Sequence, residues 1–419
     1  MNHGRPTVGA RALLRLRDFR LLFVAQAISD VGDGLTYLTL FLLVNQLTHS
    51  AAALAVMSIA IALPAMSLGL FAGAYADRLD RRRIMILSDS LRGVLVLGFI
   101  AVGTLERLPL LFALAFVQAT IGTFFAPARG ALIPRVVPEE GLLAANSISQ
   151  VSRVIASVIG TGLAGFILGA TGQAWPAFVL DAITFFVSVA IVLRVDPSVG
   201  RIVPAEGVAP GGIASSVTEG LRAIGRSPVL LGTLTGAAVA MLGLGGINVL
   251  FIPFLVNVLG ASPVWAGPLE ASQTVSMILA GGVVAALATR LAPTTILAGA
   301  LAGVAVVVGA LAFVPNVWVL MVVLFAVGWF VTPVHAAAAT LMQTGAPDAI
   351  RGRVMAAFQA STSTTSILST AVVGLAADAI GIRTVFMIGA VVVAIGAVAS
   401  GVLFAVARRR EPELARAVG

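Results

Sequence analysis

The sequence predicts an all-α membrane protein: twelve transmembrane helices in two pseudo-symmetric six-helix bundles, with both termini cytoplasmic. Three observations carry this. Of the 419 residues, 59% are hydrophobic and 11% charged, whereas a soluble domain is about one quarter charged. A mean hydropathy of +1.05 cannot be hidden in a soluble core of this size, so the solvent is lipid. The apolar stretches fall into twelve runs near the roughly 20 residues a spanning helix needs. The two halves of the chain also resemble each other.

The runs are 20–45, 51–76, 84–104, 108–128, 142–169 and 173–194, then 229–259, 264–289, 294–314, 316–342, 350–378 and 382–407. The apolar run behind the basic N-terminus is too long for a signal peptide and has no small-residue cleavage site, so it reads as the first span. Most gaps are short. The exception is the Gly- and Pro-rich stretch "DPSVGRIVPAEGVAPGG", which reads as a linker. The expected organisation is a bundle at 1–195, a cytoplasmic linker at 196–228 and a second bundle at 229–419.

Arginines set the orientation, since this chain has no lysine. One set of loops carries Arg11, Arg15, Arg17 and Arg20, then Arg78, Arg81, Arg82 and Arg83, and later Arg408, Arg409 and Arg410. The opposite loops carry only Arg107 and Arg383. The arginine-rich side is expected to be cytoplasmic. The net charge of +8 is spread between apolar runs instead of forming one patch, so it gives no reason to expect nucleic acid as a partner.

The internal repeat has an offset of 209 residues: "RDFRLLF" at 17 aligns with "RSPVLLG" at 226, Pro138 with Pro347, and Gln150 with Gln359. Two parallel halves with a site between them near mid-membrane is a transporter architecture. Cysteine is absent, which excludes disulfides and thiol catalysis. There is no GxxxxGK[ST], HExxH or serine nucleophile elbow, so neither ATP hydrolysis nor an intramembrane enzyme is expected. No cofactor or metal is expected either.

The loop between spans two and three reads "GAYADRLDRRRIMILSDSLRG". Gly73 permits close helix approach. Asp77 can accept hydrogen bonds from a neighbouring helix N-terminus and pair with arginines. With Arg78, Arg81, Arg82, Asp89 and Arg92, it forms a candidate cytoplasmic gate; the alternative is a basic loop that only orients the chain. Asp89 and Arg92, three residues apart, are expected to pair with each other or with this loop.

On these residues the chain resembles the major facilitator superfamily. The match is to its loop signature of a Gly four residues before Asp-Arg and then a basic run, with Asp80 where the signature usually has Gly. With "RDFRLLF", "FAPARGALIPRVVPEE" and "GRVMA" (352–356), the chain is similar to the drug-exporter branch that includes macrolide and enterobactin exporters. The resemblance implies the major facilitator fold, alternating access and proton-coupled export of amphipathic drug-like or siderophore-like small molecules. The runner-up is a lysophospholipid or lipid flippase of the same fold. The expected partners are a small-molecule substrate, protons and the bilayer, with the chain acting as a monomer. Span five has "GTGLAG" (160–165), with Thr161 where many antiporters have Pro.

Carboxylates inside spans mark candidate sites. Span one carries Gln26, Asp30, Asp33, Tyr37 and Phe41 within roughly 80° of one helical face. Asp33 lies about 21 Å along the helix from Phe19. Gly32 and Gly34 flank it and permit unwinding or close packing. Asp30 and Asp33 are candidates for proton exchange or for binding a cationic substrate; the alternative is a structural ion pair with Arg153 in span five. In span eight, Glu270, Gln273 and Met277 share a face, and Glu270 is a second proton or substrate candidate beside the alternative of an interfacial acid. Asn248 and Phe251 in span seven are candidate cavity residues, next to "GLGGIN" (243–248) as a hinge. Asp181 reads as a buried hydrogen-bonding acid and His335 as a packed residue beside Pro333.

Overall fold

The computed structural model describes residues 10–76, 79–102, 104–200, 213–348 and 350–417. Among the described residues, every regular element is helical, and twelve helices are long and apolar enough to cross a membrane. In the first half these are α1 (Arg17–Thr48), α2 (Ala51–Ala76), α3 (Arg81–Gly98), α4 (Leu108–Val136), α5 (Leu142–Thr171) and α6 (Trp175–Val192). In the second half they are α7 (Pro228–Val258), α8 (Ala266–Leu287), α9 (Pro293–Leu311), α10 (Val317–Thr344), α11 (Arg351–Ile380) and α12 (Ile382–Ala417).

The chain divides into two compact units. The first holds Met1–His49, Val56–Val208 and Ser262–Gly267; the second holds Ser50–Ala55, Ala209–Ala261 and Pro268–Gly419.

In the first unit α1 packs against α5 and α6, and α3 against α4 and α6. The α1–α5 contact is built on small residues. A Cβ on Gly34 would sit 2.9 Å from the Ser157 carbonyl oxygen, and one on Gly160 would collide with the Val31 carbonyl. The glycines beside Asp33 therefore serve close packing, and α1 runs unbroken through them. Thr161, where many antiporters have Pro, turns its hydroxyl back to the Ser157 carbonyl at 3.0 Å and is buried. Farther along α5, Gly165 lies against the Pro263 carbonyl.

In the second unit α7 packs on α12 and α11, and α9 on α10 and α12. The predicted hinge in span seven is a real break: the helix turns at Gly245 and Gly246. The hydroxyls of α11 take up the carbonyls there, with Ser369 donating to Leu242 at 2.6 Å and Thr370 to Gly245 at 3.1 Å. Irregular backbone at membrane depth requires such partners. The first turn of α2 belongs to this unit. The Asp378 carboxylate accepts from the Ser50 hydroxyl (2.6 Å) and from the Ala51 (2.7 Å) and Ala52 (3.1 Å) amides.

The predicted linker is only partly irregular. It contains a helix, Ile213–Arg226, packed on the start of α11. Ile213, Val217, Gly220 and Ile224 recur at helical spacing. Ile224 is buried with Leu230, Val354 and Ala357, and Glu219 pairs with Arg353. The Gly- and Pro-rich stretch before it concealed this amphipathic pattern.

Candidate functional site

Asp80, the departure from the loop signature, has a local role: its carboxylate accepts from the Arg83 amide at 3.1 Å and caps α3, which glycine could not do. Arg81 donates to the Ala131 carbonyl (3.2 Å). Arg82 donates to Val192 (3.2 Å) and Leu193 (2.7 Å), the carbonyls at the end of α6. The Arg82 guanidinium sits where the last carbonyls of α6 lack helical partners. Gly73 falls within α2, and Asp77 and Arg78 lie outside the described residues.

Asp89 and Arg92 do not join that loop. They stand roughly 12–16 Å along α3 from its start, and Arg92 reaches α1. Its guanidinium hydrogen-bonds and ion-pairs with Asp33, lies 3.8 Å from Asp89, and stacks 4.4 Å over the Phe185 ring. Asp89 is 1% exposed and accepts from the Ser188 hydroxyl at 2.7 Å. The Asp89–Arg92 pairing agrees with the sequence expectation, and its link to the gate is corrected. The alternative of a structural ion pair applies to Asp33, with Arg92 as its partner because α3 presents it at that depth; Arg153 lines the same cavity as Asp30.

Asp181 is fully buried, as the sequence suggested. It accepts from Thr36 at 2.5 Å and from Thr184 at 3.1 Å. Gly32 makes this possible, since a Cβ there would strike both the Asp181 carboxylate and the Thr184 hydroxyl.

These helices line an open cavity of about 230 Å³ inside the first unit. It is lined by Gln26, Asp30 and Asp33 from α1, Arg92 from α3, Arg129 from α4 and Arg153 from α5, with Gly122, Phe125 and Ala126 as its apolar wall. Arg129 was not anticipated as a site residue. The apolar run was ended at 128, but α4 continues through Pro127 and Pro134 to Val136. This places Arg129 roughly 10 Å inside the helix.

The two span-one acids differ sharply. Asp33 is committed to Arg92. Asp30 receives only a 3.5 Å contact from the Gln26 amide, and its Oδ2 is buried without a hydrogen-bond partner. The Nε atoms of Arg92, Arg129 and Arg153 are likewise buried and unpartnered.

The span-one stripe does not act as one surface. Gln26, Asp30 and Asp33 line the cavity, whereas Tyr37 and Phe41 stack on each other at 4.8 Å, and Phe41 is 2% exposed. Packing buries Phe41, whereas Tyr37 stays 41% exposed, so only Phe41 departs from the expected cavity lining. In the second unit Glu270 and Gln273 are half-buried on α8, and Met277 and Asn248 are exposed; Phe251 is half-buried. Ser272 and Ser276 tie α8 to α10 through the Met321 and Phe325 carbonyls.

The sequence matches the transmembrane secretion effector family over residues 8–415. The chain is a transporter of the major facilitator superfamily. It is 30% identical over 388 residues to the Bacillus subtilis transporter YfiS, covering 90% of each chain. It is 27% identical to the multidrug efflux pump Tap of Mycolicibacterium fortuitum, covering 88% of this chain and 91% of that one. These relatives place it in the drug-exporter branch. The fold is shared at low identity with a bacterial homologue of the human lysosomal transporter Spinster (TM-score 0.70, 14% identity, 92% of this chain and 96% of that one). It is also shared with a bacterial homologue of ferroportin (TM-score 0.73, 14% identity, 93% and 99%). As a twelve-span member of this superfamily, the transporter is a multi-pass plasma-membrane protein that handles small molecules within the bilayer. The many exposed Leu, Val and Ile side chains on its helices suit that solvent.

Proposed function

We propose that this transporter exports amphipathic small molecules in exchange for protons by alternating access, with Asp30 as the residue that trades a proton for substrate. The observation that carries this is the unpartnered carboxylate oxygen of Asp30 in a cavity whose other acid is already paired. A carboxylate left with one unused oxygen in a confined space has three ways to be satisfied: water, a proton, or a donor on a ligand. The last two exclude each other on the same oxygen, which is the antagonism an exchanger needs. Asp33, held by Arg92, fixes the position of α1. Glu270 is a second candidate for the proton or the substrate, acting from α8.

Export is the direction suggested by the relatives named as efflux pumps. The arginine distribution supports a cytoplasmic location for both termini in this reading, in which the chain acts as a monomer. The test uses inside-out membrane vesicles and the drug transported fastest in a screen. An imposed pH gradient should drive its accumulation in the parent and with Asp33→Asn at reduced rate. Asp30→Asn, which mimics the protonated carboxyl, should bind the drug more weakly and fail to accumulate it. Gradient-driven accumulation by Asp30→Asn equal to the parent's would remove Asp30 from this role.

A further inference from the structure

The charges lining the first unit's cavity do not cancel in the way a site for simple organic cations requires. Arg92 is occupied by Asp33 and Asp89. What remains is one acid, Asp30, facing two arginines, Arg129 and Arg153. Each of the three carries a buried polar atom with no hydrogen-bond partner. Neither arginine forms an ion pair within 4 Å among the described residues. A lone cation in this cavity would satisfy Asp30 and leave both guanidinium groups without an anion. A lone anion would satisfy the arginines and leave Asp30 facing a like charge.

The volume adds a second constraint. Pockets that enclose a whole drug-sized molecule are about 300–1,000 Å³. A cavity of about 230 Å³ holds roughly eight waters at ~30 Å³ each. That suits the polar head of an amphipathic molecule, with the apolar remainder outside. Phe125, Ala126 and Gly122 form the apolar wall on one side.

We infer that this cavity receives a zwitterionic head group: its cationic nitrogen at Asp30, its phosphate or carboxylate at Arg129 and Arg153. Guanidinium groups favour these anions because planar N–H pairs match two oxygens at once. The inference rests on the exchange reading and narrows its substrate class. It also preserves the antagonism, because the cationic half of the head group and the proton compete for the same Asp30 oxygen. The anionic half anchors the molecule without entering that competition.

The test measures binding to the full-length transporter in lipid nanodiscs with three single-chain probes of equal length. They are dodecylphosphocholine, dodecyl phosphate and dodecyltrimethylammonium, with phosphocholine as the head group alone. Dodecylphosphocholine should bind at least tenfold more tightly than either singly charged probe. Asp30→Asn should erase its advantage over dodecyl phosphate. Arg129→Gln and Arg153→Gln should each erase most of its advantage over dodecyltrimethylammonium. Arg129→Lys keeps the charge but loses the planar donor pair and should retain only part of the binding, more than Arg129→Gln, which separates lost charge from lost folding.

Three results would overturn the inference: equal binding of the cationic and zwitterionic probes with no effect of the arginine changes, no specific binding of any chain-bearing probe, or phosphocholine binding as tightly as dodecylphosphocholine. Dodecylphosphocholine binding without any gradient-driven transport would remove the exchange reading and leave this site standing. Coupled transport of a cationic drug without dodecylphosphocholine binding would do the reverse.

Discussion

Replacing Arg92 with glutamine should be among the most destabilising single changes in the first unit, and the cost should come from Asp89 more than from Asp33. Arg92 serves two acids in different surroundings. The side chain of Asp89 is 1% exposed and that of Asp33 is 38% exposed, against 9% for Arg92 itself. Breaking a buried pair by removing one partner costs about 3–5 kcal/mol, because a charge is left uncompensated. A pair reached by solvent is worth about 0–1 kcal/mol. Arg92→Gln is therefore expected to cost about 3–5 kcal/mol, most of it from Asp89, and Asp33→Asn about 1 kcal/mol. The ring of Phe185 under the guanidinium adds to the first figure. Thermal midpoints of the purified protein in detergent read the difference. At about 2–4 °C per kcal/mol for units of ~200 residues, Arg92→Gln should fall by roughly 6–20 °C and Asp33→Asn by a few degrees. Adding Asp89→Asn to Arg92→Gln should restore part of the loss, since the orphaned charge goes with its partner. A cost for Asp33→Asn equal to that of Arg92→Gln, or an additive double change, would refute this ranking of the two acids.

Three further outcomes follow from the packing and the loops. Gly32→Ala drives a methyl into the Asp181 carboxylate and the Thr184 hydroxyl; it should cost about 1–3 kcal/mol for overpacking, read as a lower midpoint, and Asp181→Ala in the same chain should relieve part of it. Asp378→Ala removes the acceptor for the Ser50 hydroxyl and the first amides of α2 and should lower stability by about 1 kcal/mol, whereas Asp378→Asn, which keeps an acceptor, should lose less. Because the chain contains no cysteine, single cysteines at Thr104 and Glu139 should report opposite sides of the membrane to an impermeant maleimide: Thr104→Cys labels from outside intact cells and Glu139→Cys does not, and the reverse pattern would invert the orientation.

The membrane architecture was readable because its signals are additive along the chain. Twelve apolar runs and a linker survive errors of several residues, and no single position decides them. The polar stripe of α1 was readable for a similar reason: acids are costly in lipid wherever they fall. What could not be read was which cation faces which acid. Arg92 and Arg153 both lie about eleven residues into their helices, and only the packing of α3 onto α4 and α6 brings Arg92 to Asp33. Arg129 was hidden by a rule that usually works, the ending of a span at its first charge. Pro127 and Pro134 reinforced that ending, yet the helix continues through both. The helix at Ile213–Arg226 was concealed by the composition of the residues before it. In each case the missing information was tertiary, a neighbour's position instead of a local preference.

The claim that Asp30 trades a proton for substrate is tested most directly by counting protons and substrate together in proteoliposomes, with a pH-sensitive dye inside and labelled drug outside. The parent should move a fixed number of protons against each drug molecule. Asp30→Asn, given enough drug to offset its weaker binding, should move drug only down its own gradient while moving no protons. An unchanged proton-to-drug ratio in Asp30→Asn would contradict the account.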